Sequence, residues 1–296
     1  MSSFFQHTIA RRTRVSGTGV HTGRDAAVQL IPAAPDAGVA FRRTDLGRKQ
    51  GLIQARAEAV CETRLGTVIG EAGGARVSTI EHLMAALAAV GVDNLLVEID
   101  GPEVPIMDGS AMAFLEALDG AGLRRQDAPR RHVEILEPIE VGGAGRRASL
   151  SPADRFEMAA EICFDAPAIG RQRLDLVVDE HGFRTELAQA RTFGFLGEVE
   201  ALRAAGHGRG ATLENTIVVD GDRILNPGLM RRSDDFVRHK LLDALGDLAL
   251  VGAPIIGRYQ ALRPGHGLNN ELARALADRP EAWRFVTRSP ELAQAV

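Results

Sequence analysis

The stretch Asp235-Phe236-Val237-Arg238-His239-Lys240-Leu241-Leu242-Asp243 places an imidazole and a carboxylate four residues apart in a segment with the pattern of a helix. Side chains at positions i and i+4 of a helix lie about one turn apart on the same face, so His239 and Asp243 can reach one metal ion together. A third ligand must come from elsewhere in the chain. The best candidate is His82, because its neighbour Glu81 would supply the free carboxylate that metal-dependent hydrolysis uses as a proton acceptor.

Both patterns also have purely structural explanations. At about 100° per residue, His239, Asp243 and Asp247 share one face opposite a cluster of apolar residues, as on a helix whose polar side faces solvent. Ser78 and Glu81 fit a capping box, in which the carboxylate only satisfies a backbone donor at the start of a helix. The surrounding sequence decides between these interpretations.

Five short runs follow one another along the chain: Val77–Leu83, Pro105–Ser110, Arg191–Phe195, Phe236–Asp243 and Gly265–Asn270. In this order they resemble the signatures of the LpxC family, the zinc-dependent UDP-3-O-acyl-N-acetylglucosamine deacetylases of Gram-negative lipid A synthesis. The resemblance extends from Arg12 to Trp283 and so covers essentially the whole chain. It implies a hydrolase, a zinc-dependent amidohydrolase that removes the N-acetyl group of this UDP-sugar glycolipid precursor and releases acetate.

The composition fits a soluble intracellular enzyme. The chain has 296 residues, of which 45% are hydrophobic and 25% charged, and this length favours two domains. The net charge of −4 argues against a nucleic-acid partner. Only two cysteines, Cys61 and Cys163, are present, so no disulfide framework or cysteine-rich metal site is expected.

The chain carries no signal for a membrane or for a protein partner. It lacks a charged leader with an apolar segment, and no apolar run approaches the ~20 residues needed to span a bilayer. No charge run, heptad repeat or low-complexity segment indicates a protein partner. We therefore expect a cytoplasmic protein without a transmembrane segment.

The predicted elements divide the chain into two halves. The first half is predicted to begin with short strands, Ala27–Ile31 and Val39–Phe41, followed by a helix that begins at Ser78 and ends near Gly91. A buried strand, Leu95–Ile99, and a second helix, Ala111–Leu118, come next. The polar, proline-broken segment Arg124–Arg131 predicts a boundary between domains of residues 1–127 and 128–296.

The second half repeats this plan, with strands around Val133–Val141 and Phe156–Phe164, a helix from Asp234 to Leu250 and an apolar segment from Pro254. In each half a histidine near a helix start is followed by a Val-Gly exit and an apolar strand, which indicates a diverged tandem repeat. The resemblance implies the same arrangement. It predicts an α+β fold of two similar tandem domains, each a helical layer packed on a β-sheet, with the active site between them.

The resemblance also assigns roles to the candidate site residues. His82, His239 and Asp243 would bind Zn²⁺ and leave a position open for water, as a catalytic site requires. Glu81 would accept the proton of that water as it attacks the N-acetyl carbonyl. Thr192 and Lys240 would then stabilise the tetrahedral intermediate together with zinc.

Protonation of the leaving amine falls to His266 in the same assignment, and Asp247 would pair with this imidazole and raise its pKa. From the residues alone, Asp247 also fits a solvated helix acid. His266 also fits a polar loop residue, because its neighbours Gly265, Gly267 and Asn269 have loop composition.

Substrate contacts are assigned to scarce aromatic residues and to an apolar stripe. Phe164 matches the family's uracil-stacking position, with Phe193 or Phe195 beside it, and core packing is the alternative. An inserted segment near residues 195–211 matches the family's acyl passage. It carries an apolar stripe at helical spacing, which would otherwise indicate a helix docked on the core; the stripe is Leu196, Val199 and Leu202.

Two positions depart from the family's usual pattern. Gly66 stands where many relatives carry a cysteine near the metal, so a thiol there is not needed for turnover. The chain reads Gly265-His266-Gly267 instead of the commoner Gly-His-Ala. We expect the extra glycine to loosen the position of His266.

Three other functions share part of this pattern. A zinc amidase for another N-acetyl sugar would need neither the apolar segment nor the phenylalanines. A fusion with a dehydratase that acts on acyl carrier protein, as in some bacteria, would need more than 296 residues. A zinc-stabilised binding protein would not require Glu81, Thr192 and His266. The acyl-chain length, the choice between zinc and iron and the oligomeric state stay open.

Overall fold

The computed structural model describes residues 4–47, 51–71 and 73–287. Within them the chain has the α+β fold that the sequence predicts, with several sheets and few helices. The helices of the first half are α1 Glu81–Val90 and α2 Met112–Ala121. Its strands are β1 Phe5–Ile9, β2 Thr13–Thr18, β3 Asp25–Pro32, β4 Val39–Arg43, β5 Leu52–Gln54, β6 Val60–Glu62, β7 Val68–Gly70, β8 Arg76–Val77, β9 Leu95–Ile99 and β10 Leu123–Pro129.

The described part of the second half, up to residue 287, contains the helices α3 Glu180–Gly182, α4 Val199–Ala204, α5 Asp235–Leu248 and α6 His266–Ala277. One turn of π-helix, Phe183–Leu187, continues α3. The strands are β11 Arg131–Ile135, β12 Ile139–Gly143, β13 Arg146–Ser151, β14 Phe156–Cys163, β15 Arg171–Val177, β16 Phe193–Phe195, β17 Ile217–Asp220, β18 Arg223–Ile224, β19 Ile255–Leu262 and β20 Trp283–Thr287.

Each half is built on one main sheet. In the first half the strand order is β2-β3-β9-β4-β5, with β9 parallel to β4. In the second half β19 is central: it pairs with β13 on one side and with β11 and then β14 on the other. Helix α6 contacts β12 and β13, and α5 contacts β14 and β15. Apolar side chains of helices and sheets form one buried core.

The two halves use the same helix-to-strand connection, as the repeated Val-Gly pattern predicts. Helix α1 ends at Gly91 and the turn after α5 ends at Gly252, with left-handed φ values of 80° and 85°. A residue with a Cβ is strained in this conformation, so glycine ends both helices. Each exit leads to a central strand, β9 or β19, that runs parallel to a strand of its own half.

Helices α1 and α5 pack directly on each other. A Cβ atom on Gly246 would lie 2.0 Å from the carbonyl oxygen of Glu81, so only glycine permits this close approach. The contact brings the first turn of α1 beside the middle of α5. His82 and His239, which are far apart in sequence, therefore lie next to each other.

The segment Arg124–Arg131 is not the irregular linker that its composition predicts. Most of it forms β10, which pairs antiparallel with β1. Gln126 and Ala128 are buried while Asp127 between them is exposed, and the guanidinium of Arg125 lies 3.6 Å from the ring centre of Phe5. Buried and exposed residues alternate here as in a half-buried strand, but the many charged residues of the segment concealed this pattern in the sequence. The division into residues 1–127 and 128–296 stays a prediction, and part of each range lies outside the described residues.

None of the helices in the described ranges is long and apolar enough to span a membrane.

Candidate metal centre

The three predicted ligands converge where α1 meets α5. One ligand atom from each of His82, His239 and Asp243 lies within 4.8 Å of the others, and all three residues are buried. The Nε2 atoms of His82 and His239 lie 3.5 and 3.3 Å from the same carboxylate oxygen of Asp243. The solvated-face interpretation of α5 is therefore wrong, because Asp243 and Asp247 are only 2% and 1% exposed.

The protonation states of this cluster suit a cation. Burial lowers the pKa of His239 to about 3, so its imidazole is neutral and has a free lone pair. Nδ1 of His239 lies 3.2 Å from the carbonyl oxygen of Ala190, a contact in which Nδ1 carries the hydrogen and Nε2 is left to coordinate. Burial alone would raise the pKa of Asp243, but neighbouring groups that include the Lys240 ammonium and the hydrogen-bonded His82 imidazole hold it well below its usual value. Two imidazoles and one ionised carboxylate are a donor set that fits Zn²⁺.

Glu81 does not cap the helix that it begins. The hydroxyl of Ser78 binds the carbonyl oxygen of Pro102 and no side chain caps α1, so the capping-box interpretation is wrong. Oε2 of Glu81 instead accepts the backbone N–H of Thr67 at 2.9 Å. Burial raises the pKa of Glu81, although the charge of His266 opposes this. The result is a buried carboxylate beside the metal ligands, with enhanced basicity.

Gly66 lies directly against Glu81. A Cβ atom at position 66 would be 2.8 Å from Oε1 of Glu81, which is closer than van der Waals contact. Because residue 66 is glycine, the chain has no thiol at this position.

His266 begins helix α6 and is not a loop residue, contrary to the composition-based alternative. Its Nδ1 lies 3.0 Å from Oδ2 of Asp247, and its Nε2 lies 3.9 Å from Glu81. Burial disfavours the imidazolium, but the charges of Asp247 and Glu81 outweigh it and raise the pKa of His266 to about 10. The predicted pairing of His266 with Asp247 is thus present.

Gly267 lies in the first turn of α6, where a Cβ atom would be 3.3 Å from the hydroxyl of Thr63. The loosening of His266 that we expected from this glycine stays a prediction. The contact between His266 and Asp247 opposes it.

Lys240 and Thr192 flank the ligands. Nζ of Lys240 donates to Oδ2 of Asp243 at 2.9 Å. Burial opposes the charge of Lys240, but Asp243 outweighs burial and raises its pKa. The backbone of Thr192 is held by Gly109 and Ile217, two residues after the Ala190 carbonyl that contacts His239. The oxyanion role of these two residues stays a prediction.

The three predicted nucleotide-binding phenylalanines form one half-buried cluster. The ring centre of Phe164 lies 5.6 Å from the ring centre of Phe193 and 5.7 Å from that of Phe195. Phe193 also packs against the buried Phe236, so part of the core-packing alternative holds for it. Lys240 Nζ lies 5.4 Å from the centre of the Phe193 ring, which places a cation beside the cluster.

The apolar segment after Phe195 does not dock on the core. Leu196 starts a turn of 3-10 helix and is 42% exposed, while Val199 and Leu202 lie on α4 and are half-buried. No residue of α4 is buried, so the docked-helix alternative is wrong. An apolar stripe that does not dock on the core is what an acyl contact requires, and that contact stays a prediction.

Several supporting residues were missed by sequence reasoning. The Thr67 hydroxyl binds Asp247, and Asn269 donates to Oδ2 of Asp247 at 2.9 Å. The hydroxyl of Tyr259 donates to Asn269 at 2.7 Å. Asn269 and Asn270 belong to the run Gly265–Asn270 that resembles the family, but its loop composition concealed that both side chains are buried.

The centre combines three metal donors, an adjacent carboxylate and a charged imidazole, the combination that hydrolytic metal centres use. The chain matches the LpxC family, described as UDP-3-O-acyl N-acetylglycosamine deacetylase, over residues 6–278. The chain therefore belongs to the LpxC family.

Individual relatives share most of the chain. It is 58% identical to the UDP-3-O-acyl-N-acetylglucosamine deacetylase of Phenylobacterium zucineum over 292 residues, which is 99% of this chain and 100% of that protein. The deacetylase of the same name from Myxococcus xanthus is 46% identical and covers 96% of this chain and 90% of its own. That of Brucella ovis is 45% identical, with coverages of 95% and 98%.

Proposed function

We propose that this chain hydrolyses the N-acetyl group of UDP-3-O-acyl-N-acetylglucosamine, with Zn²⁺ as its metal and acetate as a product, in lipid A biosynthesis. The observation that carries this proposal is the convergence of Glu81, the three metal donors and the His266 imidazole at the contact between α1 and α5. A cytoplasmic location is part of the same proposal. The names of the relatives support the substrate.

His82, His239 and Asp243 would hold the metal, which when bound polarises a carbonyl and lowers the pKa of water. The side chain of Glu81 then has one clear task. Its Oε2 is engaged by Thr67, so Oε1 is the atom left to accept a proton from the attacking water. Burial supports this role because it raises the pKa of Glu81 toward neutrality.

His266 would act as the general acid. The leaving amine needs a proton as the C–N bond breaks, and His266 is charged at neutral pH because Asp247 and Glu81 raise its pKa. Asp247 holds Nδ1, so Nε2 is the donor that faces the site. Lys240 and Thr192 would stabilise negative charge on the carbonyl oxygen.

Substrate recognition would be divided between two surfaces. The cluster of Phe164, Phe193 and Phe195 offers half-buried rings on which the uracil ring can stack. The nearby Lys240 cation suits the negatively charged diphosphate. Leu196, Val199 and Leu202 offer an apolar stripe to the fatty acyl chain.

Replacement of Glu81 by glutamine tests the proposal. Glu81→Gln keeps the size of the side chain but cannot accept the proton, so we expect normal metal content and a kcat lower by about 10²-fold or more. Deacetylation of the acylated substrate and metal content by mass spectrometry are measured together. Glu58→Gln, at an exposed acid on the same half, is the control and should behave as wild type.

Other outcomes favour other functions. Metal binding without deacetylation in the wild type would indicate a zinc-stabilised binding protein. Equal turnover of UDP-N-acetylglucosamine and its 3-O-acylated form would indicate a more general amidase for N-acetyl sugars. Near-normal kcat in Glu81→Gln would exclude Glu81 as the base.

A further inference from the structure

Glu103 is a buried carboxylate outside the set of groups described above, and it is only 1% exposed. Four donors converge on it. Oε1 accepts the backbone N–H of His21 at 2.8 Å and the hydroxyl of Thr79 at 3.0 Å. Oε2 accepts the backbone N–H and the hydroxyl of Thr22, at 2.8 and 2.6 Å. Among the described residues Glu103 forms no ion pair, so these neutral donors satisfy its charge.

One of these bonds reaches the segment that carries the base and a metal ligand. Thr79 has a left-handed φ of 58°, an unfavourable conformation for a β-branched residue, which persists only where its surroundings hold it. It lies two residues before Glu81 and three before His82. The backbone beside it is also held, because Ser78 N–H binds Pro102 and Val104 N–H binds Ser78. The direction in which α1 begins depends on this turn.

The other bonds of Glu103 reach a second segment, at His21 and Thr22. They hold the turn that follows Gly19, where a Cβ atom would be 2.2 Å from Oε2 of Glu103, so the chain wraps tightly around the carboxylate. This turn presents the imidazole of His21, whose Nε2 lies 3.2 Å from the Leu65 carbonyl, next to the Gly66 that abuts Glu81. The His21 ring also packs edge-on against His207 of the inserted segment, at 5.6 Å.

We propose that Glu103 is a positioning residue that ties the strained Thr79 turn to the His21 turn and thereby fixes Glu81 and His82 for metal binding and proton transfer. This inference rests on the proposed function. It also requires a carboxylate at this position. A glutamine of the same shape would point its NH₂ group at two donors and could accept at only one end.

The test compares Glu103→Gln with a matched control at the other end of α1. Asp93 is a half-buried carboxylate; it accepts the backbone N–H of His7 at 2.8 Å and Nε–H of Arg130 at 2.7 Å. Both Glu103→Gln and Asp93→Asn should lower the melting temperature. Only Glu103→Gln should weaken metal binding and lower kcat, each by about 10-fold or more, with a smaller change in KM. Metal affinity is measured by competition with a chromogenic chelator, which needs no turnover.

Variants of Thr79 provide a second route if Glu103→Gln does not fold. Thr79→Val keeps the branched shape but loses the hydroxyl, so it should reproduce the loss of metal affinity and kcat. Thr79→Ser, which keeps the hydroxyl, should retain more of both. In the double variant of Glu103→Gln and Thr79→Val, the losses should be smaller than the sum of the single losses, because both changes disturb the same contact between Thr79 and Glu103.

Two results would overturn the inference. One is normal metal affinity and kcat in Glu103→Gln or, where that variant does not fold, in Thr79→Val. The other is an equal loss of affinity in Asp93→Asn, which would reduce Glu103 to general stability. Failure of the proposed function is distinguishable, because the wild type itself would then bind no metal or would not deacetylate the substrate.

Discussion

At the scale of single residues, the site depends on the protonation state that each buried group holds. Burial alone would neutralise Glu81, His239, Asp243 and His266. Pairing overrides burial for Asp243 and His266, while His239 stays neutral and can coordinate. Neighbouring groups thus hold opposite charges within a small volume, as acid–base chemistry at neutral pH requires.

The contact between His266 and Asp247 predicts the alkaline limb of the pH–rate profile. The pKa of His266 is raised to about 10, so the imidazole is a charged acid below that pH and activity falls as the pH rises through it. Removing the charge of Asp247 destabilises the imidazolium and lowers this pKa. The alkaline limb of kcat/KM should therefore move to lower pH in Asp247→Asn.

The control for this prediction is Glu271→Gln, which changes an exposed acid on the same helix as His266. Its alkaline limb should coincide with that of the wild type. If the limb of Asp247→Asn stays in place, or if His266→Ala retains full activity, another group supplies the proton.

At the scale of elements, the crossing of α1 and α5 sets the distance between the two halves of the metal centre. Gly246 of α5 lies against the backbone of Glu81, the first residue of α1, and His82 follows directly. This arrangement is unusual for a helix interior, where alanine is normally favoured over glycine by about 1 kcal/mol. The glycine is thus retained for packing rather than for helix stability.

Replacement of Gly246 by alanine should destabilise the protein. The added Cβ atom meets the Glu81 carbonyl, so the helices must separate, at a cost of about 1–3 kcal/mol, and the metal should bind more weakly. Gly120→Ala is the matched control, because Gly120 is also helical but has no atom within 4 Å of its Cβ position. Gly120→Ala should stabilise by up to ~1 kcal/mol in urea unfolding. Similar effects of both variants would show that the crossing is not tightly packed.

The apolar stripe on the segment after Phe195 predicts which substrate the enzyme prefers. Each buried methylene contributes about 0.8 kcal/mol, so a long acyl chain on Leu196, Val199 and Leu202 should supply several kcal/mol of binding. Leu202→Glu should raise KM for the acylated substrate at least 10-fold while metal content and the slow turnover of UDP-N-acetylglucosamine stay unchanged.

Ala201→Glu is the control for this stripe, because it places the same charge on the neighbouring exposed residue of α4. Its KM should change little. Equal losses on both substrates in Leu202→Glu would point to misfolding, and no loss on either would remove the stripe from substrate binding.

At the scale of the whole molecule, the metal centre joins the two halves of the chain. His82 comes from the first half, and His239 and Asp243 come from the second. A ligand that binds only the folded state stabilises it, by about 2.7 kcal/mol at a concentration 100 times its Kd. We therefore expect both halves to unfold in one transition whose midpoint rises when zinc is added and falls with a chelator.

His82→Ala should remove both the zinc-dependent shift and the bound metal, measured by thermal unfolding and by metal analysis. His181→Ala, at an exposed histidine, should keep both. One full equivalent of metal in His82→Ala would show that the ligand assignment is wrong.

Much of this protein follows from local patterns in its sequence. The spacing of His239 and Asp243 predicts a shared helix face, and the apolar run Leu95–Ile99 predicts β9 with its observed bounds. The two Val-Gly exits predict the repeated connection from helix to strand. These features depend on helix and strand periodicity and on backbone conformation, which neighbouring residues determine.

Only the tertiary structure decided the features that depend on partners distant in sequence. The polar face of α5 is the same whether it meets water or α1, so its spacing could not show that Asp243 and Asp247 are buried. Most of Arg124–Arg131 forms strand β10 because β1 pairs with it, and Glu81 has no capping role because it accepts the backbone N–H of Thr67. Hydrogen bonds and burial depend on which elements meet in space, and no local pattern contains that information.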